Sequence, residues 1–539
     1  MEQNQRRRFW MLGPMVMLAL LFGVLIGKGW ERTGHATETY EELRTFSEVL
    51  TQVQKNYVDD TKVKDLVQGA IRGMLSTLDP HSVYMPADRY EQFSENFKAN
   101  YSGIGINFDI REGKLIVISP LEGTPAFKLG IRAADRIVAI DGKDVPPTVN
   151  NNDVFKQLRG PEGSNVHVSI ERENVANRIE FDIARARIPQ ESVPYAFMIR
   201  PGVGYIRITR FASATGDELE TKLEQLKAAG MKELLLDLRF NSGGLLNQAV
   251  EVSDRFLNSG QKIVYTRGRG PNASSDYFAT DRDKFTDFPM IVLVDHGSAS
   301  ASEITAGALQ DTDRGLVVGV TTFGKGLVQN QMRLKNNSAL LLTIAKYYTP
   351  SGRLIQRDYS SGDKEQYQEE AFSRDVEADS VLAKRPKFAT TSGRTVYGGG
   401  GIRPDVLVPS ESLTVAEVDL ERASVFFDYA TKIVGQDREK FPKSYDEFAK
   451  AYSISDPQAA DFRKYAEQHK VKLTPEQMSK EDPYIRRRLK AEVASNLYGL
   501  VARYRVDSEG DGQLQKALDM MPQARKLLAA NPNESKKKI

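Results

Sequence analysis

The sequence predicts a multidomain protein with an α/β core, a small β-rich domain ahead of it and helical regions at both ends. Three observations predict this. Apolar runs at 234–238, 291–294, 316–318 and 340–344 alternate with helix-like segments, the pattern of strands buried on both faces. Between 101 and 186, short alternating strands are broken by glycine turns such as Gly123-Thr124 and Asp141-Gly142. Before 101 and beyond 411, apolar residues recur at three- and four-residue steps. The 539 residues, 40% hydrophobic and 27% charged, are enough for two to four packed domains.

In 1–36, Arg6, Arg7 and Arg8 precede an uncharged run from Phe9 to Gly27. As a helix that run rises about 28 Å, close to a bilayer core, and its basic flank stays inside the cell. It reads as a membrane anchor, with a cleaved signal peptide as the alternative, so the remainder is exported in either case. Segment 37–100 is helical, with Leu43, Phe46, Leu50 and Val53 on one face. Segment 101–186 is the β-rich domain. Segment 187–410 is the α/β core, with a polar, aliphatic-poor insertion at 357–396 read as a loop. Segment 411–539 is helical. Thr414 with Glu417 and Thr474 with Gln477 fit capping boxes, Asp456-Pro457 and Asp482-Pro483 fit helix starts, and Ile485, Leu489, Val493 and Leu497 form a core stripe.

Composition removes several kinds of chemistry. A net charge of +2 gives no broad positive field, so nucleic acid is not the expected partner. With no cysteine, thiolate nucleophiles and Cys-ligated metals are excluded, and the five histidines show no paired metal spacing. An EF-hand-like start at Asp507, Glu509, Asp511 and Gly512 fails at Leu518, where a bidentate acid belongs. No metal and no cofactor is therefore expected, and catalysis falls to hydroxyl, amine, carboxylate or backbone groups.

Two corners suit acyl transfer. Gly-Ser-Ala-Ser-Ala-Ser-Glu-Ile at 297–304 follows a buried strand and opens a helix, so a serine there sits beside N–H groups without helical partners. Asp-Leu-Arg-Phe-Asn-Ser-Gly-Gly at 237–244 follows another strand, and its glycines admit close approach of a ligand. His296 has only Asp295 as an orienting acid, which disfavours a Ser-His-Asp triad. Lys325, among apolar residues and glycines at 321–329, is the better base, because desolvation lowers a lysine pKa by up to about 3 to 5 units. The same stretch fits GxxxxGK from Gly319. Gly326 then stands where a Ser or Thr is required, and the residues after it alternate like a strand, which disfavours a nucleotide loop.

At these residues the sequence resembles the carboxyl-terminal processing peptidases, or tail-specific proteases, over about 40–410. The blocks in order are 76–85, Tyr-Ser-Gly-Ile-Gly-Ile at 101–106, 236–244, 297–304, 321–329, Tyr-Tyr-Thr-Pro-Ser-Gly-Arg at 347–353 and Gly-Ile-Arg-Pro-Asp-Val at 401–406. The resemblance implies a crotonase/ClpP-like serine protease core with a PDZ domain at 101–186. It makes Ser300 the nucleophile, Lys325 its general base and Gln329 the residue orienting the amine. The N–H groups of Gly244 and Ala301 form the oxyanion hole, and Ser298 and Ser302 are structural. In the PDZ domain, Ser102, Gly103, Ile104, Gly105 and Ile106 would receive a terminal carboxylate, and the following strand would take a peptide by β-addition. Implied with this are substrates with exposed C-termini and either a homo-oligomer or an activating partner, while the N-terminal run places the chain at the periplasmic face of the inner membrane or outside it. A peptide-binding scaffold with an inert core is the rival reading. One departure is Ala134, where the family usually has glycine; this costs about 1 kcal/mol if the backbone there needs positive φ.

Overall fold

The computed structural model describes residues 38–173, 175–281, 285–373 and 379–531. The expected membrane segment lies outside the described residues, and among these no helix is long and apolar enough to cross a membrane. The chain divides into a unit ending at Asp79 and one beginning at Pro80. In the first, 38–56 and Val63–Ser76 are helical, with Leu43 and Phe46 exposed. The second unit contains everything that follows. Its first elements are the strand Val83–Met85 and the helix Ala87–Glu95.

The β-rich domain is an antiparallel sheet in the order Ile106–Arg111, Lys114–Pro120, Arg136–Ile140, Asn165–Glu171, Ile179–Ala184, with Lys143–Asp144 beside the third strand. Alternate residues Leu115, Val117, Val166 and Val168 point into its core with Ile104, Ile137 and Val154. The helix Asn151–Leu158 starts at Asn150, whose side chain accepts the Asp153 N–H at 3.2 Å. Strands Asn100–Gly103 and Ala186–Pro189 pair antiparallel at the domain's two connections to the rest of the chain. Ile106–Arg111 pairs on one side only, which leaves an edge open. Ala134 does adopt positive φ, +67°. Ala134→Gly is therefore expected to stabilise this domain by about 1 kcal/mol, read as a rise in its thermal midpoint.

The core is built on a six-stranded sheet in the order Tyr195–Arg200, Val203–Arg207, Glu233–Asp237, Met290–Val294, Leu316–Gly319, Val406–Leu407. The first pair is antiparallel and the others are parallel. Helices Thr215–Ala228, Leu246–Asp254 and Ala301–Asp311 cover one face, where Leu234, Leu236, Val292 and Val294 meet Leu219, Leu223 and Val252. The other face is covered from the far end of the sequence. Leu235, Ile291, Leu293 and Val318 pack on Leu514, Ala517, Leu518 and Met521 of the helices Gly512–Asp519 and Met521–Ala530. This is why the predicted strands lack alternation: both faces are dry.

Two expectations are corrected. The run 340–344, read as a further strand of this core, lies in a separate antiparallel sheet with Val83–Met85, Leu327–Arg333, Lys262–Gly268 and Ser275–Phe278. Its strand, Ala339–Tyr348, buries Ala339, Leu341, Ala345 and Tyr347 on one face and leaves the other half-buried or exposed, which the short apolar run concealed. The insertion 357–396 is not a plain loop. It holds the helix Lys364–Phe372 and a hairpin of Lys387–Ala389 with Thr395–Tyr397. Tyr367 and Ala371 pack against Phe323, so two apolar anchors suffice because the core supplies the opposite surface.

In the C-terminal region, Thr414 and Thr474 cap as expected, while Ser455 rather than Asp456 caps its helix. Ile485, Leu489 and Val493 are fully buried and Leu497 partly so. Acids of the abandoned calcium pattern face arginines, Asp507 that of Arg488 at 2.9 Å and Asp511 that of Arg239.

Candidate active site

The parallel strands Glu233–Asp237 and Met290–Val294 lie side by side, so the chain leaves both at the same edge of the sheet. The two resulting corners are tied together. Leu238 N–H donates to the Leu293 carbonyl at 3.0 Å, and Ala299 N–H donates to that of Asn241 at 3.0 Å. Asp295, buried at the strand end, accepts N–H bonds at Oδ1 from Phe240 (2.9 Å), Gly297 (2.9 Å) and Ser298 (3.0 Å). Burial raises its pKa, and the Phe240 N–H and the Ser298 hydroxyl oppose the rise. His296 Nδ1 lies 2.9 Å from the Thr321 carbonyl, so this corner is organised by the Asp295 carboxylate and not as a Ser-His-Asp triad.

The three serines of the second corner differ sharply. Ser298 donates its hydroxyl to the Leu238 carbonyl (2.8 Å) and Ser302 donates to that of Asn241 (2.8 Å); both are fully buried. Ser300 is half-buried, and as the residue before the helix Ala301–Asp311 it takes φ +54°, a conformation that a side chain rarely adopts. Gly243 lies directly against it, since a Cβ there would stand 2.9 Å from Ser300 Cβ. Gly244 has φ +148°, and a Cβ would collide with the Phe211 carbonyl oxygen. In the parallel bridge between Phe211 and Gly244, the bonds run from Phe211 N–H to Gly243 O and from Leu245 N–H to Phe211 O, both 2.9 Å. The Gly244 N–H therefore points the other way. Neither it nor the Ala301 N–H has an acceptor among the described residues.

Lys325 reaches this place on the loop after Leu316–Gly319. Phe323 N–H donates to the Ser298 carbonyl (3.0 Å), and Lys325 Nζ donates to Gln329 Oε1 (2.7 Å). Gln329 sits within the strand Leu327–Arg333 and donates from Nε2 to the His81 carbonyl, so both ends of its amide are held. A strand, not a helix, follows the lysine, as its alternation predicted. In the β-rich domain, Ser102 and Gly103 pair with Arg187 and Ala186. Ile104 and Gly105 form the bend, their N–H groups without acceptors among the described residues, and Ile106 begins the open-edged strand. Gly105 is at φ +82° with Thr124 against its Cα.

Two residues join the serine and lysine segments without having been singled out in the sequence. Glu303, fully buried, accepts at Oε2 from the N–H groups of Ser300 (2.8 Å) and Lys325 (2.9 Å), and at Oε1 from Gly324 N–H (2.7 Å) and Thr322 Oγ1 (2.5 Å). Burial raises its pKa while these four donors favour the anion. Tyr347, also buried, donates to the carbonyls of Ser300 (3.1 Å) and Lys325 (2.7 Å). A signal for Glu303 existed: Ser300 to Glu303 is a capping-box spacing. Tyr347 opens the 347–353 block of the resemblance, but nothing local marked the role of its hydroxyl, which acts across the sheet boundary.

Comparison with known proteins gives these features relatives. The family model for peptidase family S41 matches residues 202–364, and that for the PDZ domain matches 102–183. The N-terminal domain of the activating protease CtpB matches 28–89, and a family of unknown function matches 418–499. A carboxy-terminal-processing protease of Bartonella bacilliformis is 40% identical over 328 residues, which is 60% of this chain and 75% of that protein. The carboxyl-terminal-processing protease of Synechocystis is 34% identical over 380 residues, 66% of this chain and 86% of its own length. The Bacillus subtilis protease CtpA is 36% identical, with 57% of this chain and 65% of that protein matched, just under two thirds of its length. Among solved structures, a photosystem II D1 C-terminal processing protease covers 58% of this chain and 89% of its own, at 30% identity and a TM-score of 0.33. With S41 and PDZ matches in succession and two relatives matched over three quarters or more of their length, the chain belongs to the carboxy-terminal-processing proteases, serine peptidases of family S41 that carry a PDZ domain.

Proposed function

We propose that this chain cleaves protein substrates presented by their C-terminal tails, with Ser300 as nucleophile and Lys325 as general base. The observation that carries the reading is the difference among the three serines: Ser298 and Ser302 are bonded to carbonyls, while Ser300 is half-buried beside two N–H groups without acceptors. Neutral Lys325 takes the Ser300 hydroxyl proton as Oγ attacks the peptide carbonyl carbon. The Gly244 and Ala301 N–H groups receive the oxyanion. The Lys325 ammonium then returns the proton to the leaving amine as the C–N bond breaks, giving an acyl-enzyme and a free C-terminal fragment. Water, deprotonated by the same amine, releases the acyl group and restores Ser300. Gln329 orients Lys325 throughout.

The PDZ domain supplies the tail site in this reading. The edge strand Ile106–Arg111 takes the substrate as an added strand, and the Ile104 and Gly105 N–H groups receive its terminal carboxylate. The basic flank and uncharged run at 6–27 support work at the outer face of a membrane, by anchor or after export. The match of 28–89 to the N-terminal domain of an activating protease supports assembly or partner contact through this segment.

The test pairs the full chain with its Ser300→Ala form on an unstructured protein ending in an apolar residue, with mass spectrometry of the products. Cleavage by the first protein alone is expected. Binding of the tail without cleavage by either protein would favour an inert scaffold.

A further inference from the structure

We propose that Asp511 and Tyr504, in the C-terminal helical region, are positioning residues for the reaction: acting through Arg239, they hold the 239–244 corner so that the Gly244 N–H faces Ser300. The inference rests on the catalytic reading above and assigns to that reaction a part of the chain with no stated function.

Arg239 is the first anchored residue of the corner and is only 6% exposed. Its own N–H donates to Asp237 Oδ1 (2.9 Å), and its guanidinium donates to Asp237 Oδ2 (2.7 Å). The rest of the fork is taken from the far end of the sequence. Nη2 donates to Asp511 Oδ2 (2.6 Å), and Nη1 donates to Asp511 Oδ1 (3.0 Å) and Gln513 Oε1 (3.1 Å). This is a bidentate pairing, which fixes the orientation of the plane as well as its distance. A second path reaches the same carboxylate. Tyr205 donates to Asp237 Oδ2 (2.7 Å), its hydroxyl lies 2.7 Å from that of Tyr504, and Arg207 donates to Tyr504 (2.8 Å). Arg207 also reaches the Arg239 carbonyl at 3.4 Å. The network is buried at Tyr205, Asp237, Arg239 and Gln513, half-buried at Arg207, Tyr504 and Asp511, and alternates in charge.

The next residue shows why such a hold matters. Phe240 has φ +57° and is 74% exposed, so no packing of its own ring keeps it in this conformation. A bulky residue persists there only where its surroundings over-determine the backbone. The surroundings here are the Arg239 fork on one side and, on the other, the Phe240 N–H bond to Asp295. Asn241 then donates to the Ile208 carbonyl (2.8 Å) and accepts the Gly243 N–H (2.9 Å), carrying the hold to the glycines against Ser300. Release of the fork lets the corner relax, and a displacement near 1 Å at a catalytic donor costs up to about 10²-fold in rate.

A docking role alone would make different predictions, and the structure contains the control. Arg525 pairs with Glu233 at the opposite end of the same strand, so it joins the same helical region to the same strand away from the corner. Asp511 also caps its helix by accepting the Leu514 N–H at 3.0 Å, and asparagine preserves that role while removing the charge and one acceptor oxygen. The experiment uses the full chain as wild type, Asp511→Asn, Tyr504→Phe and Arg525→Ala. Asp511→Asn is expected to lower kcat about tenfold with KM within twofold. Tyr504→Phe should lower kcat less, and Arg525→Ala should lower the thermal midpoint with kcat unchanged. Amide hydrogen exchange without substrate should quicken in 238–245 for Asp511→Asn and not for Arg525→Ala. Wild-type kcat in Asp511→Asn, or equal losses in Asp511→Asn and Arg525→Ala, would overturn the proposal. Because exchange is read without turnover, unchanged protection at 238–245 counts against it even if the Ser300 reading fails, and inactivity of the wild type counts against that reading alone.

Discussion

Lys325→Ala is expected to lower turnover by about 10⁴- to 10⁶-fold, as far as Ser300→Ala does, and the double variant should be no worse than either. In the proposed mechanism the lysine and serine act on one proton, so removing either leaves the other without a function. What remains should be the slow reaction supported by binding and the two N–H donors. The loss should not come from unfolding. Lys325 is half-buried, its amine bonds a glutamine held independently by a backbone carbonyl, and its own backbone is fixed by Glu303 and Tyr347. A circular dichroism melt within a few degrees of wild type, together with single-turnover rates on the same tailed substrate, checks both halves. Full activity in Lys325→Ala would remove the dyad.

Glu303→Gln should be costly in a different way. All four bonds to this carboxylate come from donors, two at each oxygen. An amide keeps one acceptor oxygen, and its NH₂ must face either the Ser300 and Lys325 N–H groups or Gly324 N–H and Thr322. Donor meets donor in both orientations. The expected loss is on the order of 3 kcal/mol in the core's unfolding, since buried donors are left unsatisfied. Of the two links between the serine and lysine segments only Tyr347 remains intact, so kcat should fall by about 10²-fold. Calorimetry of the core transition and steady-state kinetics read the two effects. If Glu303 only caps its helix, the loss stays near 1 kcal/mol with kcat unchanged.

Much of the site was legible because its signals are local. A buried strand followed by small residues and a helix start marks each corner. Glycines at 243 and 244 mark a backbone that tolerates no side chain, and a lysine two residues before an alternating stretch marks a loop entering a strand. The bend and the following strand of the PDZ domain follow from the Ser-Gly-Ile-Gly-Ile run and its alternation, whereas the strand's place at an edge is set by the sheet order. Choosing Ser300 among three serines rested on resemblance, because residues two apart at a helix start look alike in sequence. The fold distinguishes them by where the Leu238 and Asn241 carbonyls lie.

Periodicity, capping and glycine conformation act over a few residues, so the central strands of the six-stranded sheet, the two corners and several C-terminal helix starts could be read from the chain alone. The three-dimensional fold sets which surfaces meet. It placed 340–344 in a second sheet, folded the insertion onto Phe323, and set helices from 512 onward on the second face of the catalytic sheet, where Leu235 and Ile291 needed cover. It also brought Asp511 to Arg239 across more than half the chain. A buried arginine must find carboxylates wherever they lie in the sequence, and an apolar face only has to be covered. Both demands are met by shape and charge at long range, which no local pattern records.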